Sequence, residues 1–121
     1  MKFLLDTNFL MIPGKFTVDI FFELTRFGSP EFYTLDTVIA ELKKIAASRG
    51  KNSRYARLAL LLLKEKGVII LRAREKKADD EMVRKAREFA VCTVDRGIII
   101  ALRRKGAKIF TLKAKKFVDE V

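Results

Sequence analysis

The sequence predicts an α/β fold, a parallel sheet flanked by helices, on three observations. Short apolar runs of strand length alternate with longer stretches of helical period. Turn-forming residues fall between these stretches, at Pro13-Gly14, Gly28 to Pro30, Gly50 to Ser53, Gly67 and Gly106. Half of the 121 residues are apolar, enough to bury one core in a single domain spanning 1–121.

"KFLL" (2–5) is the first expected strand, and helical period follows over 16–27. "EFYTL" (31–35) is the second, followed by helices over 37–48 and 53–66. "GVIIL" (67–71) leads to a helix over 79–90, "AVCT" (90–93) to one over 96–105, and "AKIFTL" (107–112) is the last strand. The helix over 53–66 is apolar on nearly every side from Leu58 to Leu63, so either another helix of the same subunit or a second copy of the chain covers it. No internal repeat interrupts this pattern.

Lys and Arg number 26 against 15 Asp and Glu, a formal charge of +11. A chain this basic attracts nucleic acid or another polyanion; a solubility surface on a thermophilic protein is the other source of such a balance. One cysteine, Cys92, and no histidine exclude a disulfide framework, the usual zinc sites and any triad that needs imidazole. Cys92 lies in an apolar run and reads as a buried strand thiol. No apolar stretch is long enough to cross a bilayer, and Asp6 and Asn8 interrupt the first run before it could act as a signal, so the expected location is the cytoplasm.

Ligands of open parallel sheets bind beyond the carboxyl ends of the strands, and Asp6 and Asp95 follow "KFLL" and "AVCT" at that edge. Helix geometry tests the other acids. Asp79 is in register with Met82, Val83 and Ala86, whereas Asp80 is turned away; Asp95 is in register with Ile98, Ile99 and Leu102; Glu41 stands at the edge of the stripe of Val38, Leu42 and Ile45. Singly, each has a structural use. Asp79 and Asp95 suit N-caps, worth ~1 kcal/mol, Asp6 suits an Asx turn, and Glu41 suits a surface pair with Lys44. Gathered at one sheet end, carboxylates repel one another and resist desolvation unless a cation neutralises them. That cation is either a basic side chain such as Arg96 or a metal, and all-oxygen ligands suit Mg²⁺ or Mn²⁺. A hydrated ion of this kind beside a basic surface fits phosphodiester hydrolysis, with a carboxylate orienting or deprotonating the water.

The segments "DTN" (Asp6 to Asn8), "IAEL" (Glu41), "ADDEM" (Asp79) and "CTVDRG" (Thr93, Asp95) resemble, in this order, the motifs of the PIN-domain family of metal-dependent nucleases. The likeness spans nearly the whole chain and is greatest to archaeal single-domain proteins related to VapC-type toxins and to the PIN nucleases of ribosomal RNA processing. It implies a three-layer α/β/α fold with a central twisted parallel sheet of four or five strands. It implies Asp6, Glu41, Asp79 and Asp95 as catalytic, with Asp6, Asp79 and Asp95 on Mg²⁺ or Mn²⁺. It further implies endonucleolytic cleavage of RNA leaving a 5′-phosphate, frequent homodimers, and an antitoxin or ribosome-processing partner. Thr7, Asn8 and Thr93 would hold the acids or the metal waters, and Asp80 is the alternative to Asp79. Val94 departs from the pattern, since many members carry Asn there. A non-catalytic RNA-binding or assembly module on the same fold is the alternative function.

Two basic stretches suit phosphate contact. One holds Arg49, Lys51, Arg54 and Arg57 around Tyr55, which either stacks on a base or packs its helix; the other holds Arg72, Arg74, Lys76 and Lys77, leading into Asp79. Arg96 adds a further cation beside Asp95. Either stretch could equally be a solvated charge run. "RGKNS" is no P-loop, because Ile45 stands where the first glycine belongs and Asn52 follows the lysine. "DTN" lacks the second aspartate of a haloacid-dehalogenase-type phosphatase.

Overall fold

The computed structural model describes the backbone of residues 1–121 and every side chain except that of Ala78. Strand β1 is Lys2–Leu5, followed by the short helices α1 (Thr7–Leu10), α2 (Ile12–Phe16) and α3 (Ile20–Leu24) and a 3₁₀ turn over Thr25–Phe27. Then come β2 (Glu31–Leu35), α4 (Asp36–Ala46), α5 (Lys51–Glu65), β3 (Ile69–Leu71) and α6 (Ala78–Lys85). The chain ends with β4 (Ala90–Cys92), α7 (Arg96–Arg104), β5 (Ile109–Lys113) and β6 (Phe117–Glu120). Among the described residues no helix is long and apolar enough to cross a membrane.

The six strands form one sheet in the order β3-β2-β1-β4-β5-β6. Every pairing is parallel except β5 with β6. From β1 the chain steps outward to β2 and β3, then reverses to β4 and β5 on the other side. Right-handed connections therefore send the helices of the two halves to opposite faces of the sheet. In keeping with this, α5 packs on α4 and α2, and α6 packs on α7. The central strand is consequently dry on both sides: Phe3, Leu4 and Leu5 are fully buried. Phe3 meets Phe110 edge-on at 5.3 Å, and Phe21 meets Phe32 at 5.0 Å, geometries that suit aromatic quadrupoles. The reversal of strand order leaves a crevice beyond the carboxyl ends of β1 and β4.

Three features depart from the sequence expectation. The helical stretch expected over 16–27 is broken. Thr17 takes a left-handed conformation (φ 57°, ψ 40°) at the end of α2, and the Asp19 carboxylate then caps α3 by accepting the Phe22 N–H at 3.0 Å. The helix expected over 79–90 stops at Lys85, because Phe89 and Ala90 are drawn into the core at the start of β4. A sixth strand, antiparallel, extends the sheet. Its N–H and C=O at Val118 are held by the Glu23 carboxylate at 2.9 Å and by the Arg26 guanidinium. The apolar helix α5 is covered within the subunit, with Ala59 and Leu63 buried, and only Leu61 stands out at 61% exposure.

Candidate active site

β1 delivers Asp6 to the crevice with its main chain still in the sheet, the Asp6 N–H donating to the Cys92 carbonyl at 3.2 Å. One carboxylate oxygen of Asp6 caps α1 by accepting the Phe9 N–H at 2.8 Å; the other accepts the Thr93 hydroxyl. The Thr93 oxygen in turn accepts the Asp95 N–H at 3.1 Å, and Asp95 caps α7 by accepting the Ile98 N–H at 2.9 Å. A single buried threonine thus fixes the spacing of two acids that lie far apart in the chain. The opening strand ends on a carboxylate because that group both starts a helix and ties β1 to the end of β4.

Asp6, Glu41, Asp79 and Asp95 line one cavity of about 400 Å³, together with Thr7, Asn8, Lys77, Met82 and Ile98. Asp79 comes from the first turn of α6 and Glu41 from the middle of α4, and both are exposed toward the crevice. Burial, only partly offset by the Thr93 and Phe9 hydrogen bonds and reinforced by the charges of Asp95 and Asp79, pushes the Asp6 carboxyl up to about 7. Asp79 is also raised, by burial first and then by Asp95, Asp80 and Glu41, with Lys77 pulling the other way.

Among the described residues the ion pairs are Arg26 with Glu23, and Arg84 and Lys85 with Glu81. None reaches the cavity, and Arg96, expected as a possible partner, forms none. Nor do any three His, Cys, Asp or Glu among the described residues already stand close enough to grip one ion. The donor set itself, four carboxylates with no ion pair among them and Lys77 as the one cation on the cavity wall, has the all-oxygen chemistry that suits a hard divalent ion.

The supporting residues divide. Thr93 bonds Asp6 and Asp95; Thr7 and Asn8 line the cavity, Thr7 buried and Asn8 exposed. Asp80 is exposed and does not line it. Asp36, another acid at a strand end, is occupied elsewhere, accepting the N–H groups of Thr37 at 2.8 Å and Ala73 at 3.0 Å. Cys92 is fully buried, with its thiol pKa raised by that burial and by the Asp6 charge. Of the basic residues, Lys77 lines the cavity, and Arg72 and Arg74 line a separate hollow with Lys85. Lys76, Arg49, Lys51, Arg54 and Arg96 are exposed. The Arg57 guanidinium donates to Ser53 Oγ at 2.7 Å and to the Ala46 carbonyl at 3.4 Å, tying α5 to the end of α4.

Sequence reasoning missed Glu81. Its side chain is fully buried, accepting two hydrogen bonds from Arg84 (3.2 and 3.1 Å) and one from the Glu75 N–H at 3.2 Å. Its carboxyl is pulled down to about 2, chiefly by the Arg84 bond. The signal was present in the spacing, with Arg84 and Lys85 at i+3 and i+4.

A larger hollow of about 570 Å³ opens at the other end of the sheet, beside Met1, Lys2 and Ala90. It holds Lys2, Arg84, Arg87, Lys105 and Lys108 with Glu88 as its one acid, so it has no metal-binding chemistry.

A family model described as a PIN like domain matches residues 3–115. Among solved structures, that of the PIN domain endonuclease Utp24 superposes with a TM-score of 0.81 at 23% identity, over 98% of this chain and 90% of that one. A domain of a functionally unknown protein from Methanocaldococcus jannaschii superposes with a TM-score of 0.60 at 18% identity, over 93% and 91%. No curated protein matches. At such identities the structural likeness is one of fold.

Proposed function

The chain belongs to the PIN-like domain family, and on that premise we propose that it is a metal-dependent endoribonuclease working at the Asp6 cavity. The observation that carries the reading is the buried Asp6 carboxylate, which shares its cavity with Asp95, Asp79 and Glu41 and has no cationic side chain paired to it.

Asp6, Asp95 and Asp79 would hold Mg²⁺ or Mn²⁺. When bound, such an ion supplies charge stabilisation to a phosphodiester and lowers the pKa of a water. Thr93, by donating to Asp6 and accepting from the Asp95 N–H, keeps both acids aimed into the crevice. Glu41, exposed on the α4 side, orients the attacking water and takes its proton. Lys77 offsets phosphate charge at the mouth, and the net charge of +11 draws the polyanion in.

Two amide substitutions test this. Asp79→Asn lowers RNA cleavage by about a hundredfold or more, in the range of a lost group acting on the transition state, and Asp80→Asn changes it little. Chelating divalent ions abolishes cleavage. Equal losses in the two variants, or cleavage that survives chelation, would overturn the assignment.

A non-catalytic RNA-binding or assembly module is favoured by one observation, that Asp6 and Asp95 both cap helices. That reading requires Mn²⁺ to leave the melting temperature unchanged.

A further inference from the structure

A second, smaller hollow of about 270 Å³ adjoins the acid cavity, and Asn8 lines both. It lies between α1 and α2 on one side and the first turns of α5 on the other. Phe16 and Tyr55 form aromatic walls, Asn8 and Asn52 contribute amides, and Val94, the residue just before Asp95, closes the side nearest the acids. Among the described residues neither amide has a hydrogen-bond partner. Tyr55 is held in place by its packing on Gly14, whose added Cβ would stand 3.1 Å from the Tyr55 Cα.

Two ammonium groups flank the Phe16 ring. Lys15 Nζ lies 5.4 Å and Lys115 Nζ 6.0 Å from its centroid. Lys115 reaches it from the turn between β5 and β6, where Ala114 and Lys115 both adopt left-handed conformations (φ 54° and 55°).

Aromatic surface for a π-face, amides for a base edge and cations for phosphates together make the chemistry of single-stranded nucleic acid recognition. A phosphate alone would have no use for the rings, and a duplex keeps its base faces stacked. We propose that this hollow takes the base of one unpaired nucleotide beside the phosphodiester bound at the acid cavity, with Lys15 and Lys115 on the neighbouring phosphates. This rests on the reading of the acid cavity as acting on RNA. Because an amide presents both donors and an acceptor, the hollow selects an unpaired base over a paired one and discriminates little between bases.

The test is binding with divalent ions chelated, so that nothing is cut. The probes are oligouridylate and an abasic ribose-phosphate chain of the same length and charge. The protein is expected to prefer oligouridylate by about tenfold or more, the scale of stacking one base on an aromatic ring. The preference is expected to collapse in Phe16→Ala and shrink in Asn52→Ala, while Lys115→Ala weakens both probes alike. Asn52 is exposed, so its variant keeps the test open should Phe16→Ala unfold. A preference equal in the parent and in folded variants, no preference in the parent, or no binding of either probe would overturn the proposal. A clear base preference without any Mg²⁺-dependent cleavage would sink the nuclease reading and leave this site standing. Cleavage without base preference would do the reverse.

Discussion

Replacing Asp6 with asparagine should make the metal-free protein more stable at alkaline pH while abolishing its response to metal. The carboxyl titrates at about 7 in the folded chain against an ordinary 3.8, so the folded state holds its proton more tightly. Below pH 3.8 both states are protonated and nothing is lost. As pH rises the unfolded chain ionises first, and stability falls until the folded carboxyl ionises too near pH 7. The penalty is about 1.5 kcal/mol at pH 5 and about 4 kcal/mol at pH 8. Asp79, also raised, adds in the same sense. Asparagine keeps an oxygen for the Phe9 N–H and carries no charge to desolvate, while its amide nitrogen cannot accept the Thr93 hydroxyl, a loss of about 1 kcal/mol at every pH. Asp6→Asn should therefore be within about 1 kcal/mol of the parent at pH 4.5 but about 2 kcal/mol or more above it at pH 8. For a domain of this length that is a melting temperature higher by about 5–10 °C. With Mn²⁺ near a hundred times its dissociation constant, the parent should regain about 2.7 kcal/mol at pH 8 and less at pH 5, where protons compete. Circular dichroism melts across pH 4.5–8.5, with chelator and with Mn²⁺, read all of this. A variant less stable than the parent at pH 8 without metal, or one stabilised by Mn²⁺ as much as the parent, would refute the reasoning.

Glu81→Gln should cost about 2 kcal/mol near neutral pH, because the buried group loses the charge that holds Arg84 and Lys85; the cost stays moderate because Arg84, 39% exposed at its side chain, can rehydrate. The sign with pH is opposite to that of Asp6. With its carboxyl lowered from 4.5 to about 2, the contribution of Glu81 is full above pH 4.5 and disappears as pH falls toward 2, so the variant should show a flatter acid limb in melts. An unchanged acid limb would count against a stabilising role. Gly14→Ala should lower stability by about 1–3 kcal/mol in urea titrations, because the new methyl meets Tyr55 Cδ1 at 2.9 Å and its Cα at 3.1 Å, where backbone must shift. A neutral result would mean that α2 and α5 are not tightly docked.

Much of this molecule is legible in its sequence, for identifiable reasons. Strands buried on both faces must read as short unbroken apolar runs, which is why "KFLL" and "AVCT" stand out. The 3.6-residue period separates Asp79, which lines the cavity, from Asp80, which does not. What escapes follows from residues that break local rules. Thr17 ends a helix in a left-handed conformation without the usual glycine. The turn Ala114 to Lys116 joins β5 to β6 with no Gly, Asn or Asp, so no hairpin signal marks the last strand. Glu81 is a charge on a buried helix face, where polarity alone predicts solvent. Tyr55 and Gly14 are separated by 41 residues of sequence and reveal their contact only in three dimensions.

The bond between Thr93 and Asp6 joins residues 87 positions apart. A polypeptide leaving the ribosome amino end first presents Asp6 well before Thr93 and Asp95, with no hydroxyl to aim it and no second acid beside it. The crevice comes into being only when β4 slots against β1. The crevice is therefore a property of the assembled sheet and of no single segment, and a fragment that lacks β4 has nothing to hold Asp6 in place.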